Sequence, residues 1–223
     1  MALRGVRPAA AVSVLALAML TACAPTAVPD AAPTAGTVTV VTIGDSIMAG
    51  YGLDPSTAWP ALLASETGAD VANLACSGAG FATPGSCGTD FGGLLEQATA
   101  LRPRYVILQS SSNDEGVSTQ TLEDATTATV EAVHQDLPGA TIVGLSTIWK
   151  DADSAPEVVQ VSSDALRTAV DAVGGVYIDL GQPLSSTGDL MQADQIHPTA
   201  EGQQDLSTAI GAALTAHGID LTG

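Results

Sequence analysis

Five short runs rich in β-branched and aliphatic residues recur along the chain, and longer stretches with helical spacing separate them. This alternation restricts the fold more than any other feature. The runs cover residues 37–43, 70–74, 105–109, 141–146 and 176–180; the helical patterns cover 57–67, 90–101, 119–137 and 157–173, with a last one at 199–216. The third and fourth runs are nearly unbroken apolar sequences, as expected of strands buried on both faces. In the 119–137 pattern Leu122, Ala125, Val130 and Val133 fall on one side of a helix. Pro138-Gly139 punctuates its end, and Gly174-Gly175 ends the next pattern. Strand and helix in alternation predict a three-layer α/β/α sandwich around a mainly parallel five-stranded sheet. Ligands of such sheets sit beyond the carboxyl ends of the strands.

The first residues read as a targeting signal rather than as fold. Arg4 and Arg7 form a short basic region, and residues 9–20 form an apolar run. That run is too short for a hydrocarbon core, which needs about 20 residues, but it suits a signal-peptide core. It ends in Leu20-Thr21-Ala22-Cys23, which resembles a bacterial lipobox with Cys23 as the lipid-bearing residue. The alternative is ordinary cleavage after Ala24, because Ala22-Cys23-Ala24 also fits a small-residue cleavage site. Residues 24–36, rich in Ala, Pro and Thr, read as a tether. Residues 37–223 then form one domain of ordinary size, and the expected location is the bacterial surface, lipid-anchored or secreted.

Loss of the signal would leave four basic residues, Arg102, Arg104, Lys150 and Arg167, against 24 acidic ones. A surface of that sign repels phosphate backbones and anionic headgroups, which argues against nucleic-acid binding and against any membrane contact beyond the anchor.

Residues at the strand ends carry the chemistry. Gly44-Asp45-Ser46 follows the first run directly, so Ser46 stands on a strand-to-helix turn that can present its hydroxyl to a cleft. A Gly-Asp-Ser turn with no chemistry is the commoner situation, and the G-x-S-x-G elbow of α/β-hydrolases is absent here. Asp194-Gln195-Ile196-His197-Pro198 precedes the last helix. A serine hydroxyl needs a base, and an imidazole with a free pKa of about 6.5 suits the task. Its second ring nitrogen needs an acceptor, which Asp194 can supply three residues upstream. The plain alternative is a loop histidine at a helix start. His134, inside a helical pattern, and His217, at the end of another, are poorer candidates. Two further loops can hold an oxyanion. Gly78 follows the second strand and lets backbone approach a ligand, and the Asn113 amide, in Ser111-Ser112-Asn113-Asp114, can donate to an oxygen. Asn113 is equally suited to a simple turn.

Together these four blocks resemble the SGNH/GDSL hydrolases over nearly all of residues 38–216. The resemblance implies the flavodoxin-like fold of that family. It also implies Ser46 as nucleophile, with His197 and Asp194 as base and orienter. The Ser46 N–H, the Gly78 N–H and the Asn113 side chain would be the oxyanion donors. It implies no metal and no cofactor. The segment from Asp45 to Gly52, followed by Ala58-Trp59-Pro60-Ala61-Leu62-Leu63, is most similar to the thioesterase, arylesterase and lysophospholipase branch. One block departs: Ser111 stands where the family's third block usually has glycine, which puts the backbone path before Asn113 in question. Asp45 and Asp114 read as loop-shaping residues.

If Cys23 carries lipid, Cys76 and Cys87 remain, in a Gly-rich loop. In an oxidising compartment a loop-closing disulfide is the natural expectation; the alternative is two unpaired thiols. Their spacing does not suit zinc. Trp149, after the fourth strand, either walls an acyl pocket or packs at a loop base. The function expected is hydrolysis of acyl esters or thioesters. The alternatives are a carbohydrate esterase acting on acetylated glycans and a non-catalytic binding lipoprotein.

Overall fold

In a computed structural model, which describes residues 1–2, 39–185 and 190–222, the strands are β1 (Thr39–Ile43), β2 (Asp70–Asn73), β3 (Tyr105–Gln109), β4 (Thr141–Leu145) and β5 (Val176–Ile178). The helices are α1 (Ser46–Ala49), α2 (Trp59–Thr67), α3 (Leu95–Leu101), α4 (Thr119–Asp136), α5 (Glu157–Ala172) and α6 (Ala200–Ala216). The signal segment beyond its first two residues, the Cys23 anchor and the tether lie outside the described residues. No described helix is long and apolar enough to cross a membrane.

The five strands form one sheet in the order β2-β1-β3-β4-β5, and every pairing is parallel. Period-2 alternation divides the strand residues between two cores. Val40, Ile107, Val143 and Leu145 face the layer of α1, α2 and α6, packing with Met48, Trp59, Leu206 and Ile210. Val41, Ile43, Val106, Leu108 and Ile142 face α3, α4 and α5, packing with Leu95, Leu122, Val130, Val133 and Leu166. On α5 the buried set Val159, Ser162, Ser163, Ala165, Leu166, Ala169 and Val170 recurs at three- and four-residue steps, one continuous helical stripe. Gly144 brings α5 onto the sheet, because a Cβ there would stand 3.0 Å from Val170 Cγ2. Leu166, fully buried, is a position where truncation to Ala costs about 2–5 kcal/mol.

Several element ends differ from expectation for local reasons. Residues 55–57 form a separate 3₁₀ turn capped by Asp54, and Ala58 is extended, so α2 starts at Trp59. Its first N–H groups are satisfied without a side-chain cap at Ala58: Trp59 N donates to Gln203 Oε1 at 2.8 Å, and Pro60 has no N–H to satisfy. The helical pattern from residue 90 begins as a 3₁₀ turn over Gly92–Leu94. β5 ends at Ile178, after which the Leu180 N–H turns to Ser146 Oγ at 2.9 Å. The four-residue α1 is too short for any periodicity to reveal.

Strand order reverses at β1, whose neighbours are β2 and β3. Open parallel sheets bind ligands at that switch point, and the turn that leaves β1 there is Gly44-Asp45-Ser46.

Candidate active site

Ser46 is the first residue of α1, and Asp45 is its N-cap: Asp45 Oδ1 accepts the Ile47 N–H at 2.9 Å. The helix stops after one turn because Gly50 adopts φ 70°. The chain therefore leaves β1, turns sharply and holds the half-buried Ser46 at the strand end.

His197 reaches Ser46 from the other end of the sequence. Residues 190–199 fold back on themselves: Gln192 N donates to His197 O, and Thr199 N to Leu190 O, both at 2.7 Å. The turn of this hairpin places Gln195 at φ 58°, an uncommon conformation for a residue with a Cβ. Thr199 then caps α6 by accepting the Gly202 N–H. Gly202 has to be glycine, since a Cβ would fall 2.4 Å from Leu190 O.

The three polar groups form one chain. His197 Nε2 lies 3.0 Å from Ser46 Oγ, and His197 Nδ1 lies 2.7 Å from Asp194 Oδ2. An ionised carboxylate only accepts, so Nδ1 carries the proton and Nε2 presents its lone pair to the serine hydroxyl. Asp194 Oδ1 also accepts the Ile196 and His197 N–H groups, each at 3.0 Å. The His197 ring, then those two backbone donors, lower the Asp194 pKa to about 2. It stays ionised at any pH at which an ester hydrolase works.

The Gly78 loop is stitched to the same turn. Cys76 N donates to Gly44 O at 2.9 Å, and the Cys76–Cys87 disulfide expected from the sequence is formed. Gly78 has φ 81°, and its N–H donates to no atom among the described residues. Asn113 donates one Nδ2 hydrogen to Ala79 O at 2.9 Å; a carboxamide has two, so one remains for a ligand. Asp114, fully buried, takes the Phe81 and Ala82 N–H groups at 2.9 and 3.0 Å. Gly80 permits that approach, because a Cβ would collide with the Asp114 carboxylate. Asp45 and Asp114 both shape loops, as expected. Ser111 also has a structural role: its hydroxyl donates to Asp45 Oδ2 at 2.6 Å and accepts the Asn113 N–H at 3.1 Å. Burial pushes the Asp45 pKa up, against the downward pull of the Ser111 hydroxyl and the Ile47 N–H.

The other residues singled out from the sequence lie away from this chain of bonds. His134 is exposed on α4, and His217 caps the end of α6 with Nδ1 2.8 Å from Ala213 O. Trp149 is half-buried; its N–H donates to Gln182 Oε1 at 2.6 Å, and its indole Nε1 is buried without a partner among the described residues. Among the described residues no group of three or more His, Cys, Asp or Glu could hold a metal ion.

Three residues that sequence reasoning missed adjoin the site. The Tyr51 ring lies 4.5 Å from the His197 ring, centroid to centroid, with the planes 33° apart. Gln192 Nε2 donates to Tyr51 O and Pro198 O, joining the hairpin to the segment after α1. Gln203, fully buried, donates to Ile47 O and accepts from Trp59 N, fixing α6 to α1 and α2. No short motif announces such contacts; all but the Gln192–Pro198 bond join residues far apart in the chain.

Residues 42–204 match the model of the GDSL-like lipase/acylhydrolase family. This protein belongs to that family of SGNH/GDSL hydrolases. Among solved structures it is similar to TesA, with 24% identity and a TM-score of 0.64 over 80% of this chain and 98% of that one. It is similar also to the psychrotrophic esterase EstA from Pseudoalteromonas sp., inhibited by monoethylphosphonate in that structure (20% identity, TM-score 0.63, 80% and 97% covered). A family two carbohydrate esterase from Clostridium thermocellum, in complex with cellohexaose, aligns at 17% identity and a TM-score of 0.66, over 84% of this chain and 66% of that one. At these identities the likeness is one of fold. No curated protein matches the sequence.

Proposed function

We propose that this protein is an exported serine hydrolase that cleaves acyl esters or thioesters through an acyl-enzyme on Ser46. The observation that carries this reading is the hydrogen-bonded chain from Ser46 Oγ through His197 to Asp194. In the first half-reaction Ser46 Oγ attacks the acyl carbon as His197 Nε2 takes its proton. Asp194 stabilises the imidazolium and fixes the ring. Negative charge collects on the former carbonyl oxygen, where the Ser46 and Gly78 N–H groups and the free Asn113 Nδ2 hydrogen would receive it; such donors usually supply the largest catalytic contribution. The leaving alcohol or thiol departs with the proton from His197. Water then attacks the acyl carbon, again giving its proton to His197, and Ser46 and the acid are released. The test is a fluorophosphonate probe with turnover of p-nitrophenyl esters. The wild-type protein should be labelled on Ser46 and Ser46→Ala should be neither labelled nor active; an active Ser46→Ala protein overturns the reading.

A second reading, deacetylation of glycans, is favoured by the openness of the site. Tyr51 and Ile196, beside His197, are 54% and 50% exposed, and an exposed aromatic face suits a sugar ring. Relative kcat/KM on p-nitrophenyl acyl esters of increasing chain length and on acetylated oligosaccharides separates the two.

Export and anchoring belong to the same proposal. The order of basic residues, apolar run and Leu20-Thr21-Ala22-Cys23 supports lipidation at Cys23, and a disulfide supports an oxidising compartment. Cys23→Ser should release the protein from the membrane fraction or block its processing. Fatty-acid label retained in that variant counts against the anchor.

A further inference from the structure

Ser111 occupies the position where the family's third block usually carries glycine, and it is fully buried. Its single hydroxyl joins two groups from different parts of the site. It donates to Asp45 Oδ2 at 2.6 Å, and Asp45 caps the helix that begins with Ser46. It accepts from the Asn113 N–H at 3.1 Å, and Asn113 bears the amide that the proposed mechanism assigns to the oxyanion. A glycine offers neither bond. Asp45 would lose the hydroxyl donor to one carboxylate oxygen in a region without water access, and the Asn113 N–H would lose its acceptor.

We propose that Ser111 is a positioning residue that sets the place of the Asn113 amide relative to Ser46, by tying the Asn113 backbone to the N-cap carboxylate of the nucleophile's helix. The proposal rests on the acyl-enzyme reading above. The Asn113 side chain is already held at Ala79 O, so the Ser111 bond is the second of two constraints on the residue, and the one that refers it directly to the nucleophile turn. Oxyanion donors act at full strength only when fixed at the position the developing charge will take. A shift of the Asn113 backbone therefore weakens transition-state binding and leaves substrate binding nearly intact.

The test is a double-mutant cycle on the full-length protein with p-nitrophenyl acetate. Ser111→Ala should lower kcat about tenfold or more, with KM within about twofold. In an Asn113→Ala background the same Ser111→Ala change should alter kcat by less than about threefold, because the donor it positions is gone. An equal loss in both backgrounds, or an unchanged kcat in Ser111→Ala alone, overturns the assignment. A general structural role predicts that equal loss, together with a lowered Tm. If Ser111→Ala does not fold, Ser111→Gly enters the same cycle, and amide exchange at Asn113 is followed beside it. The Asn113 N–H should exchange faster while the β3 amides keep their protection; an unchanged Asn113 rate counts against the bond's role. Activity in Ser46→Ala would overturn the acyl-enzyme reading itself, whereas additivity in the cycle overturns the Ser111 assignment alone.

Discussion

The hairpin that carries His197 is held mainly by bonds among residues 190–199 and by the Asp194 turn, with Gln192 tying it to Tyr51 O, whereas the loop that carries Gly78 adds to its own local bonds a disulfide and ties to Gly44 and Asp114. Asp194 organises the hairpin within three residues of itself and stays exposed to water. The Gly78 loop depends on Cys87 through the disulfide, on Gly44 O, and on the buried Asp114. One side of the site is thus built mostly from local, exposed hydrogen bonding, and the other leans on a disulfide and on a buried carboxylate distant in sequence. Exposed bonds are screened and individually weak, while buried partners are costly to leave unpaired. The two sides should therefore fail differently when cut.

The largest effect belongs to the residues both sides serve. Ser46→Ala and His197→Ala should each lower kcat by up to about a millionfold, and the double variant should be little worse, since the groups act as a unit. Multiplying losses in the double variant would show that the two do not act together. Next comes Asp194→Asn, which should lower kcat between about 10² and 10⁴-fold by presenting the wrong tautomer of His197. The lower end is expected because water screens a carboxylate that is 41% exposed. On the buried side, Asn113→Ala should lower kcat about 10² to 10³-fold with KM little changed. A change in KM alone would make Asn113 a substrate-binding residue.

The same division decides how much could be read from the sequence. β3 and β4 are continuous apolar runs; the third strand has the expected bounds and the fourth ends one residue early. Asp194 and His197 lie three residues apart, so their contact could be anticipated from spacing alone. The disulfide was legible because only Cys76 and Cys87 remained to pair once Cys23 was set aside. Asp114 with Phe81 and Ala82, Gln203 with Trp59, and Tyr51 with His197 were not legible, because each contact spans 30 or more residues and depends on tertiary packing. Ser111 lay between. Its departure from the usual glycine was visible, but its two bonds required the position of Asp45 in space.

A smaller effect tests the loop's covalent tie directly. Closing a loop of this size is worth about 3 kcal/mol in the chain-entropy model, but most of the loop's remaining ties do not involve sulfur. The Cys76→Ser/Cys87→Ser variant should stay folded and lose kcat about tenfold, beyond any loss of folded protein, because Gly78 stands two residues from the opened bridge. Unchanged kcat would leave the bridge purely structural, and the Asp114 bonds would then be sufficient to hold the donor.

The smallest effect sets the two carboxylates beside Ser46 and His197 against each other. Asp194 has its pKa depressed to about 2 by the His197 ring and two backbone N–H groups. A depressed value means stability that is present above the unfolded pKa of about 3.9 and lost as the pH falls through about 2. Asp45 has its value raised by burial. Its contribution is therefore present below about 3.9 and lost as the pH rises through its folded value. Acid should loosen the hairpin while it relieves the Asp45 turn. Amide protection at Ile196 and His197, corrected for intrinsic exchange, should fall between about pH 4 and pH 2 while protection at Ile47 holds. Asp194→Asn should abolish the fall. Asp45→Asn keeps an acceptor for the Ile47 N–H but leaves the Ser111 hydroxyl without its acceptor and removes the titrating carboxyl, so its Tm relative to wild type should be higher at neutral pH than near pH 3. The same Tm difference at both pH values would mean that the carboxyl's titration does not matter there. A parallel loss of protection at Ile47 and His197 would show that the turn and the hairpin open as one unit, coupled through Gln192 and Tyr51.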